Sequence, residues 1–103
     1  MLKVTDRAAT QISQSAKDGG MQELALRLAP YTKSDGSVEY NRMGFDTAKS
    51  DDIRIVCGEV EVIYEPSYKD LLEDAVMDFV EIEGEFSFIF LNPNDPNYVP
   101  PKD

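Results

Sequence analysis

Histidine and tryptophan are absent from this chain, and cysteine occurs once, at Cys57. Each absence removes a class of chemistry. Without histidine, a general base near neutral pH has to be a carboxylate raised above its ordinary range or a lysine lowered below it. Ser15, Ser34, Ser37 and Ser87 have no base partner at a recognisable spacing, and neither a phosphate-cradling loop nor a dinucleotide fingerprint occurs. Catalysis is therefore not expected. A single cysteine closes no intramolecular disulfide and builds no cysteine-cluster metal site. No apolar run reaches the ~18 residues of a membrane helix, and Met1-Leu2-Lys3-Val4-Thr5-Asp6 carries no apolar signal segment. The reading is a cytoplasmic protein.

What is present is acid. The 103 residues hold 20 Asp and Glu against 10 Lys and Arg, a formal net charge of −10. Residues 1–58 balance at 8 acids and 8 bases, whereas residues 59–103 set 12 acids against Lys69 and Lys102. The whole net charge thus lies in the second part of the chain. A field of that sign repels phosphate backbones, which speaks against direct nucleic-acid binding, and it opposes self-association. It serves solubility, or it favours a protein partner with a basic surface. A monomer is expected.

Local patterns assign the elements. Thr5 has the chemistry of a helix N-cap, Asp6 suits the first turn, and Ala8, Ala9, Ile12 and Ala16 recur at helical spacing until Gly19-Gly20 stops the helix. Residues 24–29 read as a strand ended by Pro30. Residues 31–37 are polar turn chemistry, residues 38–45 a weakly alternating strand, and residues 46–52 a charged loop. The β-branched runs 53–56 and 60–64 flank Cys57-Gly58-Glu59 as a hairpin, with Gly58 supplying a positive φ. Alternation puts Val60, Val62 and Tyr64 on one face, and Glu59, Glu61 and Glu65 on the other with Ile63. These three glutamates are the candidate protein-docking residues.

Pro66 breaks that strand, and Ser67 is read as the cap of a short second helix over residues 68–74. Residues 76–83 form a strand with Phe79 inward and Asp78, Glu81 and Glu83 partly outward. Gly84-Glu85 turns it into residues 86–91, an uncharged, aromatic run read as a strand buried on both faces. Asn92-Pro93-Asn94-Asp95 ends it. The expected organisation is one domain over residues 1–96 and a flexible tail over 97–103; the class is α+β, mainly β, with two helices. Truncating Phe88 or Phe90 is expected to be costly if both are buried.

Several short marks, in order, carry a resemblance. They are Val4-Thr5-Asp6-Arg7-Ala8-Ala9, Leu26-Arg27-Leu28, Tyr40, Phe45-Asp46, Asp51-Asp52, Met77-Asp78-Phe79-Val80-Glu81, and residues 88–94 ending in Asn-Pro-Asn. Together they resemble the A-type iron–sulfur carriers, the HesB/IscA-like family, over almost the full chain. The resemblance implies a compact β-structure with a helix on its outside and a flexible carboxyl tail. It also implies three cysteine ligands, one in a glycine-rich loop after the Leu-Arg-Leu strand and two in a Cys-Gly-Cys of the tail. Carried onto this sequence, those positions are Asp35, Val99 and Pro101, with Pro100 in place of the tail glycine.

None of the three is a cysteine, and cluster iron needs thiolate ligands. The expectation is no cluster and no resident cofactor. Cys57 falls in a hairpin turn, away from any ligand position, and reads as a small, partly buried residue. Asp35, Asp46, Asp51 and Asp52 are the candidate carboxylates for a cluster at one end of the sheet, but they lack calcium-loop spacing, and no metal site is expected. The cysteine-poor form is most similar to the DsrR-type branch, encoded with dissimilatory sulfite reductase genes in sulfur-oxidising bacteria. That likeness implies an accessory or regulatory role in sulfur oxidation, exercised through protein contact. The alternative is a protein that handles iron or clusters with a partner's ligands or its own carboxylates.

Overall fold

In a computed structural model, which describes residues 1–40 and 42–94, the elements run β1 (Lys3–Val4), α1 (Asp6–Gly19), β2 (Ala25–Leu28), β3 (Tyr31–Thr32), β4 (Val38–Glu39), β5 (Met43–Asp46), β6 (Ile53–Cys57), β7 (Val60–Tyr64), a 3-10 turn (Pro66–Tyr68), β8 (Val76–Ile82) and β9 (Glu85–Leu91). Helix α1 begins where the cap chemistry says: the Thr5 hydroxyl oxygen accepts the Ala8 N–H at 3.2 Å. It ends at Gly20, whose φ of 68° is the left-handed conformation glycine adopts without a Cβ clash. Its buried stripe is Ala8, Ile12 and Ala16. Two small residues out of three let the helix lie close against β7 and β8.

Two sheets enclose the core. One has the order β5-β2-β7-β6, with β2 and β7 parallel, Leu26 opposite Val62. The other has the order β1-β8-β9, with β1 parallel to β8 and the β8–β9 hairpin antiparallel, Phe79 opposite Phe88. Strands β3 and β4 pair only with each other. Leu2, Ile12, Leu26, Leu28, Val62, Tyr64, Leu72 and Met77 form the core between these layers. The β6–β7 hairpin turns at Gly58, which has a φ of 61°.

Four expectations are corrected. The second helix is not formed. Pro66–Tyr68 is a single 3-10 turn, and residues after it make mixed bonds, such as Leu72 N–H to the Tyr68 carbonyl and Ala75 N–H to the Leu72 carbonyl. So short a segment does not repay helix nucleation, and burial of Leu72 and Ala75 in the core shapes it instead. Strand β9 is not buried on both faces. It lies at a sheet edge with β8 as its partner, and Phe86 is 64% exposed. Ile63, assigned to the outer acidic face, is fully buried, because Arg27 and Arg54 stand opposite it on the flanking strands. Asp78, expected to point partly outward, is buried and bonded to Thr5 Oγ1 at 2.6 Å and to Arg7 at 2.6 and 3.2 Å.

Candidate functional site: the Asp35 loop, the Asn92 clamp and the acidic surface

The loop between β3 and β4 holds Asp35, the first of the three positions assigned by resemblance. Asp35 is exposed, and its Oδ1 accepts from the Ser37 N–H at 2.9 Å and from the Ser37 hydroxyl at 2.6 Å. The Ser37 hydroxyl, then its N–H, hold this carboxyl below the usual carboxylate range. Gly36 follows with a φ of 89°, and Lys33 bridges to Glu39 at 2.9 Å across the hairpin. Asp35 is thus a turn-forming side chain. Val99 and Pro101, the other two positions, and the proposed tail over 97–103 lie outside the described residues.

The last described residues are firmly held. Asn92 is buried; its amide donates to the Tyr40 hydroxyl at 3.1 Å and to the Leu71 carbonyl at 2.9 Å. Its Oδ1 accepts the Asn94 N–H at 3.0 Å. The Asn94 amide in turn donates to the carbonyls of Leu71 and Glu73 at 3.2 and 2.8 Å. Tyr40 stacks on Phe90 with ring centroids 4.4 Å apart. The Asn-Pro-Asn sequence, legible as a strand stop, is therefore also a clamp onto the 66–75 segment. Replacing Asn92 by Ala should destabilise the protein by roughly 2 kcal/mol, since a buried amide loses three hydrogen bonds at once; urea unfolding measures this.

The four loop carboxylates do not converge on one point. Asp46 and Asp52 both grip Arg27. The guanidinium donates to Asp46 Oδ2 at 2.7 Å, to Asp52 Oδ1 and Oδ2 at 2.9 and 2.7 Å, and to the Thr47 carbonyl at 3.2 Å. Asp52 also accepts the Lys49 N–H at 2.7 Å. Arg27, then that N–H, pull the Asp52 pKa down to about 2. Asp51 is exposed, and Asp35 sits in its own turn. Among the described residues no group of three or more Cys, Asp or Glu is placed to hold a metal ion.

The candidate docking glutamates are unequal. Glu59 is exposed, 3.9 Å from Lys17. Glu61 is paired with Arg54 at 2.9 Å. Glu65 is exposed, and its carbonyl accepts the Tyr68 N–H. Cys57 is half-buried with its thiol 3.6 Å from the Ile55 carbonyl, and burial pushes the thiol pKa up, away from the thiolate that metals take. The Arg27 grip was not foreseen. Its available signal was an arginine between two leucines of a strand, which demands acidic partners once the strand is packed.

No family model matches the chain. It is 34% identical over 97 residues to the iron–sulfur cluster insertion protein ErpA of Acinetobacter baumannii, covering 90% of this chain and 84% of that protein. Its fold matches that of Escherichia coli SufA, involved in biosynthesis of iron–sulfur clusters, with a TM-score of 0.76 at 22% identity over 96% of this chain and 86% of the other. It also matches IscA with a 2Fe–2S cluster, with a TM-score of 0.69 at 18% identity over 90% and 83% of the two chains. The chain belongs to the HesB/IscA/ErpA-like family of A-type iron–sulfur carriers.

Proposed function

We propose that this chain keeps the carrier scaffold without the carrier's cluster chemistry, and that it acts as a non-catalytic accessory or regulatory protein through contact with a protein partner. One observation carries the reading. The three positions that resemblance assigns to cluster thiolates hold Asp35, Val99 and Pro101, and a valine and a proline side chain have no donor atom. The one cysteine, Cys57, belongs to the β6–β7 hairpin. The DsrR-type likeness sets this role in dissimilatory sulfur oxidation. In this proposal the protein is a cytoplasmic monomer, binds no nucleic acid, and meets a basic partner surface with the acids of its second part, Glu59, Glu61 and Glu65 among them.

A second reading rests on the name of the relative, an iron–sulfur cluster insertion protein: the chain would handle iron or clusters with ligands that a partner supplies or with its own carboxylates. Anaerobic reconstitution with iron and sulfide, followed by desalting and iron analysis, tests on the isolated protein whether its own side chains hold iron; repeating it with the partner added tests the partner-ligand arm. The expected result is no retained iron and no cluster absorbance. Stoichiometric iron would overturn the cluster-free reading. The combined variant Asp35→Cys, Val99→Cys, Pro100→Gly, Pro101→Cys should gain iron binding, which tests whether thiolates are what the scaffold lacks.

A further inference from the structure

The far end of the β8–β9 hairpin stands out from the body. Residues 81–87 are all exposed. The strands close through Glu83 and Gly84, with φ of 52° and 85°, as a tight two-residue turn. Two large apolar side chains sit there in solvent, Phe86 at 64% and Ile82 at 50% exposure. Register puts Phe86 opposite Glu81 on one face, and Ile82 opposite Glu85 on the other. Phe86 is stacked on Phe79 at 5.6 Å, and Phe79 contacts Phe88 at 4.9 Å. The exposed ring is therefore the outer member of an aromatic row whose inner members pack against the core.

The charges of this end differ from those elsewhere on the surface. Glu59, Glu61 and Glu73 are each paired with a cation. Glu81, Glu83 and Glu85 form no ion pair among the described residues. A solvated acid alone says nothing, but here three of them surround two uncovered apolar groups on a tight turn. An uncovered aromatic anchor with a charged rim is the anatomy of a protein-contact centre.

We propose that the β8–β9 hairpin end, with Phe86 as its anchor and Glu81, Glu83 and Glu85 as its rim, is the docking surface for a cationic amphipathic segment of a partner protein. The occupant follows from charge complementarity. Lysine or arginine stems cover the Phe86 ring while their charged heads reach Glu81 and Glu83, and a cation over the ring face is itself attracted. A nucleic acid or an anionic membrane is repelled by the same glutamates, and a second copy of this chain would set acid against acid. This inference rests on the reading that the chain works through protein contact, and it refines where that contact lies.

The test is a titration of the 15N-labelled full chain with a synthetic amphipathic peptide of about 18 residues, five helical turns, bearing lysine on one face and leucine on the other. Backbone shifts should centre on residues 79–88 and weaken at high salt. Phe86→Ala, and separately the triple variant Glu81→Gln, Glu83→Gln, Glu85→Gln, should each lower affinity about tenfold, as loss of an anchor or of a rim field does. The control Glu23→Gln, Asp51→Asn, Asp70→Asn removes the same charge from exposed sites elsewhere. It should change affinity less than about threefold, which separates this surface from the general field of the protein. Each variant's spectrum outside residues 77–90 should match wild type, showing that the fold is intact. Shifts centred elsewhere, equal losses in the control and the hairpin triple, no binding, self-association through β9, or tighter binding to anionic vesicles or RNA than to the peptide would each overturn the proposal. Iron reconstitution bears on the cluster-free reading alone, so the two ideas fail separately.

Discussion

Leu72→Ala should destabilise the protein by roughly 3 kcal/mol, a usual figure for emptying a fully buried leucine site. Phe86→Ala should cost below about 1 kcal/mol, the scale of one aromatic pair. Leu72 is fully buried, among Leu28, Pro30, Tyr40 and Phe90. The segment that carries it is irregular, yet it closes the core between the β2 side and β9. Phe86 belongs to the most apolar run of the chain, but it is 64% exposed, and its ring contact is with Phe79. Urea unfolding of the two variants should therefore give the reverse of the order that hydrophobicity suggests. Equal losses would show that the hairpin end is part of the cooperative core.

That reversal shows what a one-dimensional pattern conveys. The β6–β7 hairpin and helix α1 were legible because their signals are local: Gly58 at a turn, Thr5 at a cap, Ala8, Ile12 and Ala16 at helical spacing. Asp35 as a turn former was legible for the same reason, since its partner Ser37 is two residues away. An uncharged apolar run does not say which of its faces is covered. Residues 86–91 looked central, while the better buried strand is β7, whose Val62, Ile63 and Tyr64 are 0%, 0% and 1% exposed despite the neighbouring glutamates. The expected second helix failed because Leu72 and Ala75 answer to the core rather than to helix periodicity. The Asp78 bonds join residues more than 70 positions apart, beyond any local signal. Of the candidate site, Asp35, Val99 and Pro101 were assigned by resemblance, whereas the contrast between Glu59 and Glu61, which are paired, and Glu81, Glu83 and Glu85, which form no ion pair among the described residues, exists only in three dimensions.

Arg27→Met should also destabilise strongly, by about 3 kcal/mol, the low end for removing one partner of a buried ion pair. Arg27 is 16% exposed at its side chain and Asp52 0%, so the substitution leaves a shielded carboxylate with only the Lys49 N–H to satisfy it. The loss concerns architecture directly: Arg27 lies on β2, and its grip on Asp46 and Asp52 ties the strand to the loop that leads into β6. Adding Asp52→Asn should recover part of the loss, since the stranded charge is then gone, and the two changes should be non-additive. The pH dependence gives an independent check. Arg27 holds the Asp52 pKa at about 2, below the ordinary 3.8. A depressed carboxyl pKa adds stability that is fully present above the unfolded value and disappears as pH falls through the folded one. The advantage of wild type over Arg27→Met should therefore be constant from pH 7 to about pH 5 and shrink between about pH 4 and pH 2. Denaturant unfolding across that window measures it; a gap that stays constant down to pH 2 would show that Arg27 acts through the packing of its stem and not through its charge.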